Sequence, residues 1–259
     1  MSKTAHHHIE ELSIWPLVTS LFILLTALSF LFGFAWNFGN FGRALGIFSV
    51  LGIVVCIFGW VKEVFGKTLD LISTKVAMVI FIISEIALFG GLFSSFIYAW
   101  VSLGQMPPVG TPEGIPPLTL AFFLSIVLFS SSYTMQQAEH ALDQKDEKKF
   151  LGWLILTIGL GALFLGGQAR EWSELISHEN FMLTTNSYGT FFYTITGFHG
   201  SHVIVGLILL LLTLFLALTR KLSSLNKDTV RILGYYWHFV DIVWVFVLSM
   251  IYIAPILIN

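Results

Sequence analysis

The chain has 259 residues, of which 56% are hydrophobic and only 11% are charged. This composition excludes a soluble globular domain and is typical of a helical protein with several membrane spans. The net charge of −2 gives no indication of nucleic-acid binding. The single cysteine, Cys56, excludes a disulfide within the chain and a metal site built from several thiolates.

Seven apolar segments are each long enough to cross about 30 Å of hydrocarbon as an α-helix. They cover residues 15–36, 44–65, 73–101, 118–139, 150–169, 188–218 and 232–257. Their length and their lack of alternation exclude the strands of a membrane barrel. Because no internal repeat or soluble domain is visible, the sequence predicts one all-α membrane domain over residues 1–259, with seven transmembrane helices.

Lysine and arginine are unevenly distributed between the predicted connections. Eleven of the thirteen lie on the side of the amino terminus, and only Arg43 and Arg170 lie on the other side. Positive residues favour the cytoplasmic side, so we expect a cytoplasmic amino terminus and an external carboxyl terminus. Two longer connections, residues 102–117 with five of the seven prolines and residues 170–187, are then external loops.

Five ionisable side chains lie well inside predicted spans, away from their ends, where they are costly unless they meet protein partners. Glu85 and Asp241 each lie about ten residues from the cytoplasmic end of their span, or roughly 15 Å deep. His199 and His202 reach a similar depth from the outer side, and His238 lies one turn nearer to the cytoplasm than Asp241. The sequence therefore predicts a buried polar cluster where the third, sixth and seventh spans meet.

Several functions are compatible with such a cluster. The favoured interpretation is helix packing, with Glu85 hydrogen-bonded to His199 or His202. Carboxyl–histidine chains are also typical of proton relays, so a stand-alone proton-coupled transporter using these groups stays an alternative. A membrane cytochrome is a third hypothesis. His199 and His202 could bind one metal, but no aligned further ligands are evident beyond Glu85, and no metal site is predicted.

Other polar groups lie at the ends of the predicted spans. Glu139 on the fourth span, and Gln168 and Glu171 on the fifth, are interpreted as interfacial hydrogen-bonding groups. Basic and aromatic side chains at the cytoplasmic ends of the second and sixth spans suit anionic lipid headgroups. This candidate lipid site comprises Trp60, Lys62, Lys67, Arg220 and Lys221.

Two long stretches resemble the last two helices of cytochrome c oxidase subunit III. They read TGFHGSHVIVG and YYWHFVDIVWVFVLSMIY. The resemblance extends to SIWPLVTSL near the amino terminus and to IFIISEIALFGG, which places Glu85 at the buried membrane glutamate of that family. It covers nearly the whole chain.

The resemblance implies seven helices in two groups, with helices 1–2 separated from helices 3–7 by a V-shaped cleft that binds phospholipid. It implies a subunit with no haem, copper or catalytic residue of its own, since those cofactors belong to partner subunits. The expected partners are oxidase subunit I in direct contact, subunit II, other respiratory complexes and phospholipids, but no nucleic acid. Expected roles are sustained turnover, protection of subunit I and support of proton uptake, in a bacterial cytoplasmic membrane.

Overall fold

The computed structural model describes residues 14–30, 32, 38–66, 71–109, 111–112, 117–219 and 227–258. These residues form helices and short connections, and no strand occurs among them. The helices are α1 (Trp15–Phe30), α2 (Gly39–Gly66), α3 (Leu71–Leu103), α4 (Leu118–Asp143), α5 (Glu147–Ser177), α6 (Ser187–Thr219) and α7 (Lys227–Val247). A π-helical segment, Leu248–Ile253, continues α7 into a short last helix, α8 (Ala254–Ile258). The predicted all-α class is confirmed.

Six helices in the described part of the chain, α2 to α7, are long and apolar enough to cross a membrane. The α1 helix is described over 16 residues, with an apolar stretch at Leu17–Thr26, and its predicted continuation to residue 36 lies largely outside the described residues. Large apolar side chains are exposed along these helices, as at Ile126 and Ile208, which are 66% and 57% exposed. A surface of this kind suits contact with lipid.

The fifth helix is longer than the sequence predicts. The predicted span ends at residue 169, whereas α5 continues to Ser177. The segment from Arg170 to Ser177 contains neither proline nor glycine, and Arg170 forms an ion pair of 2.7 Å with Glu174 one turn later. The predicted loop 170–187 therefore begins only at His178, which caps the helix.

The chain divides into two compact units, residues 1–70 and 71–259. In the first unit, α1 packs against α2 through glycines that leave room for aromatic rings. Phe22 lies against Gly52, and Trp15 lies against Gly59. A hydrogen bond of 3.0 Å from the Thr26 hydroxyl to Ser49 Oγ joins the same two helices.

The second unit is built around two tryptophans of α7 that are completely buried. Trp237 donates its indole N–H to Ser131 Oγ at 3.1 Å, and Trp244 donates to Ser125 Oγ at 2.8 Å, both on α4. The serine numbers fall as the tryptophan numbers rise, so α4 and α7 are antiparallel. Gly206 on α6 leaves room for Trp237, because a Cβ atom there would lie 2.7 Å from the indole ring. These contacts fix the faces of α6 and α7 that carry the polar side chains.

Candidate functional site

Glu85 on α3 contacts His202 on α6. The Glu85 Oε2 and His202 Nε2 atoms lie 3.1 Å apart, and the two side chains are only 16% and 12% exposed. The rings of Phe89 and Phe198 pack within about 5 Å of the imidazole, with centroid distances of 5.2 and 5.0 Å. The predicted contact between Glu85 and a histidine of the sixth helix is thus confirmed, and the histidine is His202.

The hydrogen-bond geometry also assigns a proton to this pair. His202 Nδ1 lies 2.8 Å from the carbonyl oxygen of Phe198, which can only accept, so Nδ1 carries a hydrogen. A hydrogen bond between Nε2 and Glu85 Oε2 then needs a second proton between them. That proton belongs either to a neutral carboxylic acid or to an imidazolium, and in both cases the pair has no net charge.

His199 lies elsewhere, although it is only three residues before His202. Three residues advance a helix by about 300°, so the two imidazoles point about 60° apart. His199 is 1% exposed and packs against Phe164 on α5 and Trp244 on α7, with ring centroids 5.7 and 5.1 Å away. Neither ring nitrogen has a hydrogen-bond partner in the described part of the chain.

His238 and Asp241 face the fourth helix. His238 Nδ1 lies 2.6 Å from Ser132 Oγ on α4. Asp241 Oδ2 lies 3.8 Å from the same Nδ1, which is too long for a hydrogen bond. Both oxygens of Asp241 are buried without a hydrogen-bond partner among the described residues. The sequence predicts one polar cluster for these five residues, but the structure divides their contacts among three places. Glu85 and His202 contact each other, His199 packs against α5 and α7, and His238 and Asp241 face α4.

Glu139 on α4 is half-buried, and its carboxyl group packs against α7. Its Oε1 atom is shielded from solvent and has no hydrogen-bond partner among the described residues. The carboxyl group lies directly against the Cα atom of Gly234 on α7, where a Cβ atom would overlap it. Glycine at this position therefore makes room for the carboxylate. One turn nearer the helix end, Asp143 accepts two hydrogen bonds of 2.8 and 2.9 Å from Arg231.

A further polar network joins α5 to the π-helical segment, and the sequence interpretation does not foresee that it is buried. Glu171 is 1% exposed and Gln168 is 4% exposed. Glu171 Oε2 accepts from the Gln168 amide and, at 2.8 Å, from the Tyr252 hydroxyl. The buried positions Phe164, Gln168, Glu171 and Leu175 recur every three or four residues. That spacing marks a core-facing helical stripe and is the signal that the prediction missed.

The candidate lipid site falls mostly outside the described residues. Lys67, Arg220 and Lys221 are not among them, and for Trp60 and Lys62 the backbone of α2 alone is described. Lipid binding at these positions stays a prediction. Among the described residues, no group of three or more histidine, cysteine, aspartate or glutamate side chains is arranged to hold a metal ion.

Comparisons with known proteins cover nearly the whole chain. The sequence profile of the family described as Cytochrome c oxidase subunit III matches residues 5–255. A probable cytochrome c oxidase subunit 3 of Rickettsia bellii is 31% identical over 279 residues, covering 97% of this chain and 96% of that protein. A cytochrome c oxidase subunit 3 of Rhipicephalus sanguineus is 31% identical over 260 residues, covering 95% and 97%. A probable subunit 3 of Nocardia farcinica is 36% identical over 179 residues, covering 69% and 86%.

Proposed function

Because the chain belongs to the cytochrome c oxidase subunit III family, we propose that it is the third core subunit of a respiratory haem–copper oxidase. In this role it has no catalytic centre, and the haem and copper that reduce oxygen to water belong to partner subunits. The observation that carries the proposal is the family match over residues 5–255. The direct contact of Glu85 with His202 supports it, because this contact joins two segments that share the resemblance, IFIISEIALFGG and TGFHGSHVIVG.

The buried polar groups serve to hold the helices in register. The hydrogen-bond contacts of Glu85, His202 and His238 each join two different helices or close a turn within one helix. Such pairs satisfy polar groups at depth and oppose sliding of one helix along another. Asp241 lies beside His238 and His199 packs against Trp244, so both have neighbours other than the Glu85–His202 pair. This arrangement argues against one continuous chain of proton carriers.

The subunit binds structural phospholipid between its two helix groups. The proposed site comprises Trp60, Lys62, Lys67, Arg220 and Lys221, whose charges suit a headgroup phosphate in the cytoplasmic leaflet. The resemblance to the family implies that helices 1–2 and helices 3–7 line this V-shaped cleft. Replacing Lys62 and Arg220 by glutamine should lower the amount of anionic phospholipid that co-purifies with the oxidase. An unchanged lipid content would contradict this assignment.

The whole chain forms one membrane domain with seven spans, a cytoplasmic amino terminus and an external carboxyl terminus, in a bacterial cytoplasmic membrane. The uneven distribution of lysine and arginine supports this orientation. Support of proton uptake by the partner that reduces oxygen is part of the same proposal. Labelling of single cysteines placed at residues 145 and 179 tests the orientation: the first should react only from the cytoplasmic side and the second only from outside.

The decisive experiment is purification of the chain through an affinity tag, in mild detergent, from its own membranes. The proposal predicts that oxidase subunits I and II co-purify, together with the absorption bands of haem. Subunit II and other respiratory complexes are expected as further partners. A chain that is purified alone and drives proton-coupled transport in vesicles would contradict the proposal, as would a haem bound to the isolated chain.

A further inference from the structure

A strip of polar side chains runs along the outward face of α4 and α7, from the end that carries Asp143 and Arg231 towards the middle of both helices. This polar strip comprises Ser132, Gln136, Glu139, Tyr235 and His238. We propose that a transmembrane helix of a partner oxidase subunit packs on the strip and presents uncharged hydroxyl or amide side chains to it. The inference rests on the proposed function, because it requires partner subunits, and it adds the surface and the chemistry of the contact.

The polar strip extends deep into the membrane span. At its outer end Arg231 donates to the Asp143 carboxylate, and such a charged pair belongs at the aqueous side of the hydrocarbon. At its inner end His238 Nδ1 lies 2.6 Å from Ser132 Oγ. Ser132 precedes Asp143 by 11 residues, or about 16 Å along α4. Half of a hydrocarbon layer is about 15 Å thick, so His238 lies near its middle.

Polar atoms of the strip reach the surface of the chain at this depth. The His238 side chain is 37% exposed. Its Nδ1 faces Ser132, whereas its Nε2 has no hydrogen bond to a described residue and is not among the shielded atoms. Gln136 and Tyr235 are exposed too, and neither side chain has a hydrogen-bond partner within the described part of the chain. Lipid tails provide no such partner, so this surface is costly against lipid.

The same face becomes apolar beyond His238. The next outward side chains of α7 are Ile242 and Val245, and those of α4 are Phe129 and Ile126, all of them exposed. A helix that packs on this face would bury these side chains and also satisfy the polar atoms of the strip. Water would serve only the polar atoms and would leave the large apolar neighbours hydrated, which is unfavourable. The combination therefore favours a protein partner over a water-lined surface.

The charges of the strip favour an uncharged partner side chain. Glu139 and His238 are ionisable groups of opposite sign. The Glu139 carboxyl lies against Gly234, which precedes His238 by four residues, or about 6 Å along α7. A charged partner group would be attracted by one of them and repelled by the other. Hydroxyl and amide groups both donate and accept, so they can satisfy the imidazole, the Gln136 amide and a tyrosine hydroxyl without adding charge.

Replacing the exposed amide tests the proposal in the complete oxidase. Gln136→Leu removes no hydrogen bond within the described part of the chain and makes the surface more apolar, so against lipid it should do no harm. Against a partner helix it should lower the recovery of subunit I with the tagged chain by about threefold to tenfold, the loss of one hydrogen bond between membrane helices. Recovery at the wild-type level would overturn the proposal.

The matched control is Thr213→Leu on α6. It also replaces an exposed polar side chain by leucine, and the Thr213 hydroxyl donates only to the backbone of its own helix, at 2.9 Å. Recovery of subunit I with this variant should equal that of the wild type. An equal loss in both variants would show a general effect of leucine substitution and would also overturn the proposal.

A photo-crosslink decides the matter if Gln136→Leu fails to accumulate. Benzoyl-phenylalanine in place of Tyr235, which is 49% exposed, should form an adduct with a transmembrane segment of another oxidase subunit. The adducted peptide should carry a hydroxyl or amide side chain within one helical turn of the crosslink. The same substitution at Ile208 on α6, which is 57% exposed, should give no such adduct.

The outcomes of the crosslink separate the two proposals. Adducts of the Tyr235 variant with lipid alone, or with a second copy of this chain, would overturn the inference, as would a partner peptide with only charged or apolar side chains at the crosslink. A purified complex without a protein adduct refutes the polar strip alone. If the wild-type chain brings down no haem protein at all, the proposed function itself fails.

Discussion

Removal of the Glu85 carboxyl should destabilise the packing of α3 against α6. Glu85→Ala leaves His202 Nε2 without its partner at 3.1 Å, in surroundings where only 12% of the imidazole is exposed. Hydrogen bonds between membrane helices contribute about 0.6 kcal/mol on average and up to about 1.7 kcal/mol. Because this pair is shielded and shares a proton, we expect a coupling energy near the upper value, about 1–2 kcal/mol.

A double-mutant cycle measures this coupling. The free energy of unfolding of the chain in mixed lipid–detergent micelles is followed by the fluorescence of the buried Trp237 and Trp244 for the wild type, Glu85→Ala, His202→Ala and the double variant. We predict that the double variant loses little more than either single one. If the two single effects add to within about 0.5 kcal/mol, the side chains are not coupled and the reasoning is wrong. Oxygen consumption per haem at early times should stay near wild type in Glu85→Ala, while the yield of complex falls.

Three further predictions concern helix packing and capping. Gly234→Ala places a Cβ atom against the carboxyl group of Glu139 and should lower the thermal stability of the oxidase. Adding Glu139→Ala should restore that stability. A double variant as unstable as Gly234→Ala alone would refute the clash. Ser125→Ala leaves the buried indole N–H of Trp244 unpaired and should lower the free energy of unfolding by about 1–3 kcal/mol. A loss near zero would show that this hydrogen bond of 2.8 Å is dispensable. Asp146 caps α5 through a backbone N–H of the first turn at 3.1 Å, which holds the pKa of its carboxyl below the ordinary range. The cap should therefore be complete above the ordinary aspartate pKa and should be lost as the pH falls through the lower pKa of Asp146 in the folded protein. Hydrogen exchange should show this loss as falling protection of the amides in that turn. Asp146→Asn should show no such pH dependence.

The contact between Glu85 and a sixth-helix histidine could be predicted because depth in a membrane helix follows from counting residues. Counting gave a common depth for Glu85, His199, His202 and Asp241, but it gave no direction around each helix axis. The choice between His199 and His202 depends on the 60° between them. It also depends on which neighbour each face meets, and this is set by the packing of Trp244 and Phe89.

The burial of the Gln168–Glu171 network could not be predicted for a different reason. Charged and amide side chains after residue 169 lower the hydropathy, so the apolar segment ends there in the sequence although the helix does not. The hydroxyl of Tyr252, about 80 residues later, provides the partner that allows Glu171 to be buried. Such pairing between distant segments depends on tertiary structure. Similarly, Ser131 is one of three consecutive serines and Ser125 stands between Leu124 and Ile126, and nothing local identifies either serine as a partner of tryptophan.

The most direct test of a non-catalytic subunit compares the oxidase purified with this chain and without it, by oxygen consumption per haem over repeated turnover. Our account predicts that both preparations keep the same haem and copper content and start at similar rates, and that the preparation without the chain loses activity faster. Loss of haem or copper together with the chain, or an initial rate of zero in its absence, would show that the chain itself takes part in the chemistry.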